Sequence, residues 1–257
     1  MRIFLLTSKI RKRGAGQGAH EMERIIKRER SIIPACDVNS PEMLEKLVEE
    51  TCGVEGIGAY KVGLELAIPF GLKKVVEAVR KYTELPIIYD HQKAATDIPE
   101  LGEKFVNACK SCGADAIIFF PQAGPATERA WIESAKKAGI GIIVGGEMTH
   151  ANYLAKDSGF IADDAPKRIY EIAADLGVRD FVVPGNKPEK ILEYKKLLEA
   201  KGIEPILYSP GLVAQGGKIT ESAKAAGKNW HAIVGRALYG AGDINAAAKE
   251  MTAALMR

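Results

Sequence analysis

Cysteine is scarce in this chain. Four thiols in 257 residues cannot make a disulfide framework, so the fold must rest on a packed core, and the chain reads as a soluble, cytoplasmic protein of a reducing compartment. Long apolar runs are absent as well. Ile3-Phe4-Leu5-Leu6 is too short for the core of a signal peptide, and no stretch approaches the ~18 apolar residues of a membrane span, so no membrane partner is expected. An excess of one charge is also missing: a formal net charge of +3 is too small to argue for a nucleic-acid partner. The positive residues gather in Lys9, Arg11, Lys12 and Arg13 and in Arg24 to Arg30, which read as a solvated face or arm. Cys109-Lys110-Ser111-Cys112 has CxxC spacing, but no second Cys or His pair accompanies it, so it is not read as a metal or redox site. No G-x-G-x-x-G follows the first strand-like run, which removes the usual fingerprint of an open dinucleotide-binding sheet.

What is present is a strict alternation. Hydrophobic residues make up 47% of the chain, enough for one large core. Strand-like runs fall at 31–36, 58–62, 85–89, 115–119, 139–144, 180–183, 205–208 and 230–234. Helical patterns lie between them at about 41–52, 67–82, 98–112, 124–138, 164–176, 187–202, 218–227 and 242–256, several opened by Ser, Pro, Asp or Asn. Each parallel strand needs a crossover helix to return, so eight of each predict an α/β fold of the (β/α)8 TIM-barrel type. The expected organisation is a basic N-terminal extension, 1–30, and one barrel domain, 31–257. Gly14 to Gly18 would be the joint of the extension and Glu21 to Arg30 a charged helix.

In such a barrel the chemistry sits at the carboxyl ends of the strands. The chain crowds charge there, above all in Tyr89-Asp90-His91-Gln92-Lys93-Ala94-Ala95-Thr96-Asp97-Ile98-Pro99. The residues just past the strands would form one cup: Asp37, Lys61, Asp90, Lys93, Thr149, Pro210 with Gly211, and Gly235 with Arg236. Lys61 lies inside the apolar run Ala59-Tyr60-Lys61-Val62-Gly63. An unpaired ammonium would be costly there, so it must meet carboxylates, with Asp37 and Asp90 the nearest candidates. The glycine-rich loop Ser209 to Gly217 and the run Val234-Gly235-Arg236 follow strands seven and eight, where barrels commonly hold a phosphate. Arg236 can fork onto phosphate oxygens, and Gln215 can donate its amide.

These residues resemble the orotidine 5′-monophosphate decarboxylase family. The resemblance runs from about Ile33 to the C-terminus. It rests on Ala35-Cys36-Asp37, Lys61-Val62-Gly63, Asp90 to Pro99, Glu147-Met148-Thr149-His150, Leu176-Gly177-Val178, Ser209 to Gly217 and Val234-Gly235-Arg236. It implies a homodimeric carbon-carbon lyase of pyrimidine biosynthesis that forms UMP and CO2 from a nucleotide monophosphate. Lys61, Asp90, Lys93 and Asp97 would be its charged tetrad, with Asp97 contributed across the interface. Asp37 would hold the ribose, Thr149 the pyrimidine, and Pro210, Gln215, Gly235 and Arg236 would build the phosphate side; no metal or organic cofactor is called for. Two alternatives stay open. One is another phosphate-ligand member of the same barrel group, of the keto-gulonate-phosphate decarboxylase or hexulose-phosphate synthase type, which resembles this fold but uses magnesium with Glu where Lys61 stands. The other is a nucleotide-binding relative without turnover. The family spacing is Asp-x-Lys-x-x-Asp, whereas here Asp90 to Asp97 is two residues longer, so the strand needs a bulge or a turn to keep Lys93 on the inner face.

Overall fold

The computed structural model describes residues 24–213 and 218–255, apart from the side chains of Gln92 and Lys93. Short β-branched runs form eight strands: β1 Arg30–Pro34, β2 Tyr60–Gly63, β3 Ile87–Ala94, β4 Ala116–Phe119, β5 Gly141–Gly145, β6 Asp180–Val182, β7 Ile206–Ser209 and β8 Trp230–Val234. All pair in parallel in the order β1-β8-β7-β6-β5-β4-β3-β2. Bridges from Ile32 to Ile57 and from Ala35 to Lys61 bring β1 back beside β2, so the eight-stranded sheet curls into a nearly closed barrel. Crossover helices clothe it: α1 Pro41–Thr51, α2 Leu64–Phe70, α3 Leu72–Arg80, α4 Gly102–Ser111, α5 Pro125–Ala138, α6 Ala165–Asp175, α7 Pro188–Ala200, α8 Ile219–Ala226, α9 Arg236–Tyr239 and α10 Ile244–Leu255.

Period-two alternation divides each strand between two cores. Ile33, Ile88, Ile118, Ile143, Val182 and Ile233 fill the barrel, while Ile32, Tyr60, Ile87, Ile117 and Phe119 pack outward against the helices. The N-terminal ends of the helices follow from local chemistry. Ser40 accepts the Met43 N–H at the start of α1, and Pro41, Pro125 and Pro188 begin helices at positions where no N–H bond is lost. Among the described residues no helix is long and apolar enough to cross a membrane.

Four elements differ from the sequence reading, one being the short helix α9, which falls outside the eight expected helical patterns. The helix expected at 67–82 is two, because Gly71 takes φ +82° between α2 and α3. β3 runs on to Ala94 instead of ending at Tyr89. The charged helix expected at Glu21 to Arg30 is, over its described residues 24–29, a bent segment tucked beneath the barrel. Ile26 is buried there, and Ile25 and Ile26 join the inner core because Gly141 and Gly58 leave them room. Charge around two isoleucines had made the run look like a solvated helix. The joint at Gly14 to Gly18 lies outside the described residues.

Candidate active site

The strand ends converge on a cavity of about 240 Å³, lined by residues from all eight strands or the loops just after them. Lys61 of β2 stands on its floor. Its ammonium is 3.0 Å from Asp37 Oδ1 and 3.4 Å from Asp90 Oδ2, and only 5% of the residue is exposed. Burial works to lower the Lys61 pKa, but Asp90 and Asp37 together outweigh it and hold the group above its ordinary value, hence charged. The backbone fixes this meeting: Cys36 N–H donates to the Lys61 carbonyl at 2.8 Å, locking the end of β1 to β2 immediately before Asp37. Burial pushes the neighbouring Cys36 thiol far above its usual range, so it is no nucleophile.

Thr149 lines the opposite side on the loop after β5, and that loop is latched from below. Lys187 at the start of α7 donates to Glu147 Oε1 at 2.8 Å and to the Met148 carbonyl at 3.2 Å, and Asn186 donates to the Thr149 carbonyl at 3.0 Å. Tyr194 donates its hydroxyl to Glu147 Oε2, and Tyr153 donates to the Gly146 carbonyl at 2.8 Å. Glu147 is therefore buried and paired. In sequence Glu147 figures only within Glu147-Met148-Thr149-His150, and Lys187, Asn186 and Tyr239 are not among the expected site residues. Tyr239 lines the cup one turn after Arg236, a spacing the sequence does offer.

Pro210, Gly211, Gly235 and Arg236 form the remaining wall. Gly185 N–H donates to the Pro210 carbonyl at 2.8 Å, and a Cβ at Gly185 would lie 2.5 Å from that oxygen, so only glycine lets the loops after β6 and β7 approach so closely. Gly235 precedes the short helix α9, the position at which barrels present backbone amides to phosphate. Gln215 lies outside the described residues.

The segment from Asp90 to Asp97 is accommodated by an irregularity in β3. Tyr89 pairs with Ile117 and Ala94 with Phe119, so five steps along β3 match two along β4. An odd surplus of three residues reverses the alternation: Ile88 faces the barrel, whereas Ala94 faces the helices. Ala95 then leaves the strand with φ +68°, a left-handed turn at a buried non-glycine residue. Lys93 lies within this irregular stretch, and its side chain is outside what is described. Asp97 does not line the cup of its own chain; it borders a second cavity of about 480 Å³ together with His91, Lys104 and Trp131. His91 is exposed, bonded through Nδ1 to the Tyr89 hydroxyl and packed on Phe105.

A family model described as the Orotidine 5′-phosphate decarboxylase / HUMPS family matches residues 30–251. The chain belongs to this family. The orotidine 5′-phosphate decarboxylase of Methanosarcina mazei is 32% identical over 226 residues, covering 88% of this chain and 95% of that one. The orotidine 5′-phosphate decarboxylase of Thermococcus kodakarensis is 34% identical over 223 residues, covering 87% and 95%. Among solved structures, the orotidine 5′-monophosphate decarboxylase of Methanocaldococcus jannaschii complexed with inhibitor BMP superposes with a TM-score of 0.77 at 28% identity, covering 89% of this chain and 99% of that one. For a family member, the match begins at the first residue of β1, so the segment beneath the barrel precedes the shared core.

Proposed function

We propose that the protein decarboxylates orotidine 5′-monophosphate to UMP and CO2, as its relatives are named for doing. The observation that carries this reading is the buried, charged Lys61 held between Asp37 and Asp90 in a cup whose far wall carries Gly235 and Arg236. When the bond from C6 to the carboxyl carbon breaks, its electron pair stays on C6 with no conjugated sink. The site must stabilise that carbanion and then protonate it. An ammonium already fixed by carboxylates does the first without reorganisation and can deliver the proton for the second. We assign that delivery to Lys93, with Asp90 beside the departing carboxylate, Asp37 on the ribose and Thr149 on the pyrimidine. Pro210, Gln215, Gly235 and Arg236 would grip the phosphate, far from C6, where binding energy serves positioning.

We further propose a homodimer in which Asp97 completes the partner's cup. The exposure of Asp97 and its distance from the cup of its own chain support this. Mixing Lys93→Ala protomers with Asp97→Asn protomers would rebuild one intact site per heterodimer and restore about a quarter of the activity; no recovery would place Asp97 in its own chain's reaction. The family also contains the hexulose-phosphate type of chemistry, with magnesium. Here the Lys61 ammonium fills the space between Asp37 and Asp90 that a divalent cation would have to share, which favours the metal-free reaction. The deciding experiment is turnover of orotidine 5′-monophosphate with and without chelator, for the protein and for Lys93→Ala. Turnover indifferent to chelation, and lost in the variant while a UMP analogue still binds, supports the assignment. Binding without turnover in the unaltered protein would refute it.

A further inference from the structure

The exposed carboxylate of Asp97 follows a bulged strand and a left-handed residue, a place where a side chain would ordinarily wander. Instead both flanking peptide groups are held from α5. The Thr127 hydroxyl donates to the Asp97 carbonyl at 2.7 Å, and the Trp131 indole N–H donates to the Ile98 carbonyl at 3.1 Å. Between these two anchors the Ile98 N–H donates to Asp97 Oδ1 at 2.7 Å, so the peptide that is pinned also orients the carboxylate. Thr127 and Trp131 are themselves buried, 3% and 4% exposed, and one helical turn apart. The indole is wedged between Phe105, at 5.1 Å between ring centres, and Phe119, at 5.7 Å edge to face. Gly102 makes space for it: a Cβ there would lie 2.8 Å from Trp131 Cδ1. The anchor is therefore stiffer than the loop it holds.

We propose that Thr127 and Trp131 are positioning residues that fix where the Asp97 carboxylate is presented. The proposal rests on the reading above, in which Asp97 serves a decarboxylating site. The Thr127 hydroxyl bonds the Asp97 carbonyl itself, so the loss of that bond acts on turnover through Asp97. Misplacing a catalytic group by about 1 Å costs on the order of a hundredfold in rate, which sets the scale of the effect.

The test measures kcat and KM for orotidine 5′-monophosphate in Thr127→Val, Thr127→Ser, Asp97→Asn and the Asp97→Asn/Thr127→Val double variant, with melting curves for each. Thr127→Val, which keeps the shape and removes the donor, should lower kcat about tenfold or more and leave KM within about twofold. Thr127→Ser restores the donor and should recover kcat to within about twofold. In the double variant the Val substitution should cost nothing further, because the group it positions is already gone. Trp131→Phe removes the N–H together with part of the indole's volume, and should lower kcat as well as the melting temperature. An unchanged kcat in Thr127→Val with Asp97→Asn inactive would overturn the positioning role alone. A loss that persists undiminished on the Asp97→Asn background would show mere structural damage and overturn it too. Full activity in Asp97→Asn would remove the reading of Asp97, and this proposal with it.

Discussion

Asp90→Asn tests whether Lys61 is held as the structure shows. The perturbation removes one of two charges facing a buried ammonium and nearly preserves volume. At 3.4 Å and an effective dielectric constant of about 20, the lost attraction is about 5 kcal/mol before any relief of desolvation. Breaking a buried pair from one side leaves a net loss of about 3–5 kcal/mol. For a domain of this size that is a fall in Tm of roughly 6–20 °C. The pH dependence isolates Lys61 from every other contact of Asp90. In the unaltered protein the folded pKa of Lys61 lies above its ordinary value, so its contribution is present below that value and lost as alkali passes the folded pKa. With Asp90 neutralised, burial, the largest influence on this lysine, gains the upper hand and the folded pKa falls below the unfolded one. Between those two values the unfolded chain binds more protons than the folded one, so stability of the variant rises with pH. Urea denaturation at pH 7 and at pH 9.5 should therefore show a wide gap between the two proteins that narrows in alkali. A gap of the same size at both pH values would mean that Lys61 is not a charge buried between these carboxylates.

Arg236→Ala should weaken a nucleoside monophosphate roughly tenfold to a hundredfold, the worth of a charged hydrogen bond, and leave the parent nucleoside unaffected; equal loss for both in calorimetry would take Arg236 off the phosphate. Glu128 on α5 is buried, and among the described residues its Oε1 has no hydrogen-bond partner. Burial pushes its pKa up to about 8. A folded pKa above the unfolded one means stability falls as pH climbs from about 4.5 to 8, so Glu128→Gln should gain up to about 4 kcal/mol over the parent at pH 8 and less than about 1 kcal/mol at pH 5, read by denaturant titration. Ile26→Ala opens a cavity beneath the barrel and should lower Tm by roughly 5–15 °C with turnover at 25 °C unchanged. An unchanged Tm would deny that the segment before β1 plugs the barrel.

The barrel was legible because its signal is repetitive: eight apolar runs and eight helical patterns, several with capping residues, need no long-range information to be counted. The floor of the cup was legible for a different reason. A lysine inside Ala59-Tyr60-Lys61-Val62-Gly63 is an electrostatic debt that only nearby carboxylates can settle, and Asp37 and Asp90 at adjacent strand ends were the candidates with the right reach. What escaped were groups whose meaning depends on a neighbour distant in sequence. Lys187 is merely the first residue of the helical pattern at 187–202, and only folding brings it 40 residues back to Glu147. Ile25 and Ile26 sat in a charged run, and only the closed barrel supplies the glycines that receive them.

The Asp90 to Asp97 segment shows how a strand takes up residues that its neighbour does not match. An even surplus would have kept the alternation but lengthened the strand past its neighbours; an odd one would have turned every later side chain to the wrong face had the strand stayed regular. β3 absorbs three residues against β4 in one irregular stretch and re-enters pairing with Ala94 outward against the helices. The turn at Ala95 and the grip of α5 on the next two carbonyls then restart the chain in a fixed direction. Bulge and anchor are thus complementary: the bulge breaks the register that β3 keeps with β4 as far as Tyr89, and the anchor fixes the backbone again at Asp97 and Ile98. Without donors at positions 127 and 131 the two peptides that flank the Asp97 carboxylate would lose their anchors to α5.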